Sequence, residues 1–188
     1  MVLPLAAQIL SGSGCSNDHC VESCEQDWEK NGEHCYLWST DRKNWTSAEN
    51  FCNKAGGHLA TVQSAATFNF LVEGMNRTGL VAAWLGGNDI GLEGNWRWTD
   101  CSPWDSQKNA KFWAQGEPSQ SGNRGHAEHC LQHVVKYPNI NKPVRKWNDQ
   151  SCRDEHGFLC SKSICSGRKY FMKHRKLQML SSPQLIVR

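Results

Sequence analysis

A chain of 188 residues is enough for one domain with tails. Ten cysteines and nine tryptophans point to an oxidising compartment and a disulfide framework. No C-x-x-C pair occurs, which argues against a zinc ribbon. The net charge of +3 misleads, because residues 166–188 hold six basic and no acidic side chains and the remaining body is net −3. That excludes a nucleic-acid-seeking body, and no apolar run is long enough for a membrane span.

Residues 1–23 read as a leader or short cysteine-bearing N-terminal arm: Leu3–Leu10 is apolar and Ser11-Gly12-Ser13-Gly14 follows. His34–Trp38 reads as a first strand. Thr46-Ser47-Ala48-Glu49 matches a capping box, and Ala48, Phe51, Cys52 and Ala55 fall on one helical face that Gly56-Gly57 ends. His58–Val62 is a short strand. Ser64 caps a second helix with Phe68, Leu71, Val72 and Met75 inward and Gly79 past its end. Ala83–Trp98 is a core hairpin. Its paired Gly86-Gly87 permits positive φ or close strand approach, and Trp96 and Trp98 alternate with Arg97 as on a half-buried strand. From Asp100 to Asn123 the periodicity is lost, with Trp104, Phe112 and Trp113 as isolated anchors; so long a loop is often functional. Cys130–Val135 reads as a strand, Tyr137–Lys146 as a second loop and Gly157–Cys160 as a closing strand. There is no internal repeat and no second domain.

Two helices, several short strands, a tryptophan-glycine core and a long cysteine-closed loop resemble the C-type lectin-like domain over residues 24–162. The motif WLGGND at Trp84–Asp89 resembles the family's core motif. The resemblance implies an α+β fold in which helices flank small antiparallel sheets, stapled by Cys52–Cys160, by Cys130–Cys152 across the loop and by the long-form pair Cys24–Cys35. Cys15, Cys20, Cys101 and Cys165 remain. Cys165 can meet Cys15 or Cys20, and Cys101, odd within its loop, is the best candidate for a free or intermolecular thiol. Residues 163–188 form a basic tail expected to be disordered.

Glu117-Pro118-Ser119, Glu128 and Trp147-Asn148-Asp149 resemble the family's calcium and sugar site. Calcium takes six to eight oxygens; Glu117, Glu128 and Asp149 supply carboxylates and Asn148 an amide carbonyl. The resemblance implies a cis bond at Pro118 that points its flanking side chains at the ion. It also implies that Ca2+ and these side chains together hold two adjacent hydroxyls of one sugar. Ser119 departs from the pattern: mannose-type members carry Glu-Pro-Asn and galactose-type members Gln-Pro-Asp. Its arm is shorter and offers a hydroxyl in place of a carbonyl, while Glu117 favours the mannose type.

Other motifs carry less. His126, His129 and His133 surround Cys130 at zinc-like spacing, but the resemblance commits Cys130 to a disulfide, and loop histidines are usually solvated. His126-Ala127-Glu128 has no P-C-x-x-C after it, so a deaminase is rejected. No nucleophile elbow is present, and the chain is not expected to be an enzyme. The sequons Asn44-Trp45-Thr46 and Asn76-Arg77-Thr78 fit a secreted glycoprotein. The leading expectation is a secreted, calcium-dependent lectin that recognises glycans, mannose-type, in innate immunity, with homo-oligomers, disulfide-linked or non-covalent, supplying avidity. The alternative is a lectin-like protein–protein module without sugar binding. Ice binding, known among ten-cysteine relatives of this fold, has no support beyond cysteine number.

Overall fold

The computed structural model describes residues 20–119, 127–136 and 144–165. The strands are β1 (Cys20–Val21), β2 (Glu29–Asn31), β3 (His34–Lys43), β4 (His58–Leu59), β5 (Ala82–Asn88), β6 (Arg97–Trp98), β7 (Cys130–Val134), β8 (Lys146–Gln150) and β9 (His156–Ile164). The helices are α1 (Trp45–Lys54), α2 (Ala65–Thr78) and the short α3 (Ser106–Asn109), which runs into a 3-10 turn over Ala110–Phe112. One mixed sheet runs β2-β3-β9-β5-β7-β8, with β1 and β4 on β9 and β6 on β5. This is an α+β fold, as the sequence implies. The sheet reaches beyond residues 24–162, since Cys20 and Val21 pair in parallel with Ser163 and Ile164.

Local chemistry explains both long helices. In α2, Ser64 accepts a hydrogen bond from the Thr67 N–H at 3.0 Å and Gly79 closes the helix at φ 75°, a conformation glycine adopts without a Cβ penalty. Phe68, Leu71, Val72 and Met75 are buried, as the 3.6-residue period dictates. In α1 the cap differs from the capping-box reading. Asn44 accepts from the Ser47 N–H at 2.8 Å, so the helix starts at Trp45. Glu49 is drawn instead into a tertiary contact, accepting from the Leu59 N–H at 2.8 Å and meeting His58 Nδ1 at 2.7 Å. Ala48 and Cys52 are buried, while Phe51, placed inward by periodicity, is exposed and packs edge-on to Phe158.

Trp84 and Leu85 are wholly buried in β5. Gly86 and Gly87 serve close approach, not positive φ. A Cβ on Gly86 would lie 2.7 Å from the Leu59 carbonyl oxygen, and one on Gly87 would lie 2.6 Å from Leu131. Buried indoles also organise the backbone: Trp45 Nε1 donates to the Leu85 carbonyl at 2.8 Å and Trp84 Nε1 to that of Lys43 at 2.9 Å. Each satisfies its one polar atom while burying its rings.

Between described residues, disulfides join Cys20–Cys165, Cys24–Cys35, Cys52–Cys160 and Cys130–Cys152. Cys101 is disulfide-bonded as well, which corrects its reading as a free or intermolecular thiol: its oddness within the loop says nothing about partners distant in sequence. His133 corrects the reading of solvated loop histidines. It lies on β7, fully buried against Phe68 at 4.7 Å, and desolvation pushes its imidazole down to about 3. His126 and the tail after Cys165 lie outside the described residues.

Candidate functional site

The long loop after β6 is anchored, not free. Asp105 caps α3 by accepting from the Lys108 N–H at 3.0 Å. The three aromatics read as isolated anchors form one cluster. Trp104 packs against Trp98 at 4.8 Å, Trp113 against Trp96 at 4.9 Å, and Phe112 against Trp147 at 4.9 Å. The chain then hooks onto edge strand β8, where the Ala114 N–H donates to the Trp147 carbonyl at 2.8 Å. A turn follows in which the Glu117 N–H donates to the Ala114 carbonyl at 3.1 Å and Gly116 takes φ 89°, the positive φ that a type II turn demands at that position. Glu117 is therefore held over the end of β8 by an aromatic floor and a tight turn.

The Glu117–Pro118 bond is cis, matching what the resemblance implies. The Ser119 N–H donates to both Asp149 carboxylate oxygens, at 3.1 and 2.9 Å. The Ser119 hydroxyl donates to Glu128 Oε2 at 3.2 Å. Ser119 thus ties Asp149, on β8, to Glu128, just before β7; those strands are clamped by Cys130–Cys152. Asp149 is almost wholly buried, 1% exposed. Asn148, next on the strand, turns its amide to the Asp149 carbonyl. Four of the five sequence-predicted residues are thus joined by direct contact or shared electrostatics, with Asn148 directly beside them.

Burial, then the Asp149 carboxylate, pushes the Glu117 carboxyl up to about 7, with the Ser119 hydroxyl offsetting part of the rise. Burial and Asp149 also raise Glu128. Among the described residues, no basic side chain forms an ion pair with Glu117 or Glu128. Glu117 Oε2 is buried and has no hydrogen-bond partner, which normally costs several kcal/mol unless something compensates (roughly 1–3 for a neutral group, more for a charge). An oxygen-only donor set with an orphaned carboxylate oxygen is the chemistry a hard cation satisfies, so these residues fit calcium.

A second cluster was not legible as a unit. Asp89, Glu93 and His129 bring ligand-type atoms within 4.8 Å of one another. The loop after β5 supplies the carboxylates, and the residue before Cys130 supplies the imidazole. The signal for it was an acid pair four apart inside a polar turn, whose partner lies 40 positions away from Asp89.

A model of the "Lectin C-type domain" matches residues 41–162. The chain belongs to the C-type lectin family. C-type lectin domain family 4 member F of Mus musculus is 34% identical over 149 residues, 79% of this chain and 25% of that protein. The chain thus spans only about a quarter of that relative. The galactose-specific lectin nattectin of Thalassophryne nattereri is 32% identical over 77% of this chain and 83% of its own length. The solved trimeric structure of Kupffer cell Clec4f superposes with TM-score 0.63 at 31% identity, covering 76% of this chain and 86% of that one. C-type lectin domains are in general binding domains, not enzymes. No helix among the described residues is long and apolar enough to cross a membrane.

Proposed function

We propose that this lectin domain is secreted and binds glycans through one calcium ion held by Glu117, Ser119, Glu128, Asn148 and Asp149. The observation that carries the reading is the buried, unpartnered Glu117 Oε2 within a carboxylate set where, among the described residues, no basic side chain pairs with Glu117 or Glu128. Calcium bound there would supply a hard Lewis acid for two vicinal hydroxyls of a hexose. The protein's own side chains do the rest. Glu117 and Glu128 accept hydrogen bonds from those hydroxyls, Asn148 donates, and the Trp104–Trp113–Trp147 floor keeps the loop from collapsing when carboxylates repel. Intrachain disulfides support an oxidising, extracellular setting.

Glu117 supports mannose-type recognition. Nattectin's name points to galactose, whereas a cow CD23 domain at 27% identity was solved in the presence of GlcNAc2Man3 oligosaccharide. A single sugar buries few atoms, so affinity should be around millimolar, about 4 kcal/mol, with avidity from several copies; the solved Clec4f is trimeric. N-glycans at Asn44 and Asn76 and a role in innate immunity belong to the same proposal. Asn76 is exposed on α2, and the cap at Asn44 uses only its Oδ1, leaving Nδ2 for linkage.

A second reading, a protein-binding module, draws on exposed Ile90 (49%) and Leu92 (65%) in the loop that bears Asp89 and Glu93. A glycan array probed with calcium and with chelator separates the two. Chelator-sensitive binding to mannose-bearing glycans is expected; a galactose preference would overturn the mannose type, and binding that persists in chelator would favour the module.

A further inference from the structure

We propose that Cys101 is joined to Cys15 in a further disulfide, and that this bond is the chain's site of thiol–disulfide exchange, open to small-molecule thiols while the other pairs stay closed. The pairing follows by elimination. Of the ten cysteines, eight pair among themselves. Cys101 is bonded, and no cysteine among the described residues is free. Cys15, which lies outside the described residues, is the one cysteine the chain has left.

The fold puts Cys101 within reach of that partner. Strands β4 and β1 follow one another along the side of β9 that β3 does not take. His58 faces Ser161 and Cys20 faces Ser163, an offset of two residues or about 7 Å. The segment bearing Cys101 lies against β4. The Thr99 N–H donates to the Gly86 carbonyl, and the Gly86 N–H to that of Ala60, each at 3.0 Å. Asp100 is near enough to His58 that its charge, after Glu49, helps to raise the imidazole. Five residues of chain from Cys20 back to Cys15 span up to about 18 Å, more than this gap requires.

Access sets this bond apart. Cys101 is exposed, in a turn where its N–H donates to the Trp98 carbonyl at 3.2 Å, and it belongs to no strand or helix. Cys35, Cys52, Cys130 and Cys160 are fully buried, so three of the other pairs hide at least one partner. Cys20 and Cys165 are half-buried and sealed by the β1–β9 pairing. An attacking thiolate must reach a sulfur, so exposure selects the bond that exchanges. The thiolate of a small monothiol attacks one sulfur, the S–S bond breaks, and the other sulfur leaves as a thiolate that takes up a proton. A second monothiol resolves the mixed disulfide. Two electrons and two protons end on Cys15 and Cys101, the reagent ends as its own disulfide, and the N-terminal arm is released from the root of the Glu117 loop. The inference does not depend on calcium or glycan binding.

The test is a non-reducing peptide map of the full chain, then timed treatment with reduced glutathione, alkylation and a count of label at each cysteine. A Cys15–Cys101 peptide is expected. Those two cysteines should take label at least about tenfold faster than any other, and near-ultraviolet circular dichroism, set by the tryptophan cluster, should be unchanged once two thiols have appeared. After the same treatment, Cys15→Ser should take label at Cys101 alone. Cys101 joined to any other cysteine or to a second copy, another pair opening as fast, loss of the near-ultraviolet signal with the first two thiols, or an unlabelled Cys101 in Cys15→Ser would each overturn the proposal. If Cys15→Ser does not fold, the wild-type map decides the pairing and the wild-type labelling order decides the exchange.

Discussion

The two carboxylate clusters flank the start of β7 and meet their charge differently. At Asp89 and Glu93 an imidazole stands between the acids, and a backbone N–H holds the buried one. At Glu117, Glu128 and Asp149 a serine donates to two of the acids, Asp149 and Glu128, and one Glu117 oxygen is left buried without a partner. The first arrangement can persist on hydrogen bonds within the protein. In the second, burial and the Asp149 carboxylate raise Glu117 and Glu128, a cost that protonation or a cation relieves. Acid count is thus a poor guide to cation demand; the presence of internal donors decides it.

The comparison can be broken at several points. The largest effect is expected from the shared hinge. Cys130–Cys152 closes a 22-residue separation below both clusters, and removing it with Cys130→Ser/Cys152→Ser should cost about 3 kcal/mol on chain-entropy grounds. Chemical denaturation should show that loss, and calcium titration a weaker affinity at the Glu117–Asp149 cluster. Asp149→Ala comes next. It should lower calcium affinity by about 100-fold or more and abolish glycan capture. Calorimetric titration with calcium reads this directly, and calcium binding that survives the change would remove the ligand assignment.

Glu117→Gln should weaken calcium by about tenfold and change how the calcium-free fold responds to pH. The Glu117 carboxyl is raised from 4.5 to about 7. Between those values the folded chain holds a proton that the unfolded chain has released, so stability falls as pH rises through the window. With calcium present the dependence reverses, because ion binding requires the ionised carboxylate. Melting wild type and Glu117→Gln side by side in chelator isolates the slope. His133, lowered from 6.5 to about 3, adds a slope of opposite sign below 6.5, but equally to both proteins. An identical pH dependence would show that Glu117 carries no such strain. The smallest effect is that of Ser119→Asn, which restores an amide carbonyl: calcium should tighten by about three- to tenfold and mannose should gain over galactose, read by sugar competition.

Much of the fold is local and therefore legible. The cap, period and terminal glycine of α2 lie within sixteen residues, and each acts on its own neighbours. Asn44 and Thr46 both offer cap oxygens, and the choice between them was settled when Glu49 found the Leu59 N–H, a contact no window around α1 contains. The Glu-Pro-Ser and Trp-Asn-Asp elements are recognisable as strings, so four joined members of the first cluster could be named in advance. Asp89, Glu93 and His129 form no string, and their meeting depends on the β5–β7 register. Helix α3 was hidden for a related reason: its packing rests on aromatic contacts with β6 and β8, not on a stripe of its own.

The pairing of β1 with the end of β9, sealed by Cys20–Cys165, has a mechanical consequence. A pull applied at these two cysteines passes from one sulfur to the other and does not load the sheet between them. Tension borne by a lectin gripping a surface-anchored glycan would reach the disulfide through β9 and β3, where hydrogen bonds along a long antiparallel ladder share the load in shear. The loop bearing Glu117 carries the same tension without a ladder of its own, so the grip itself should fail before the scaffold does.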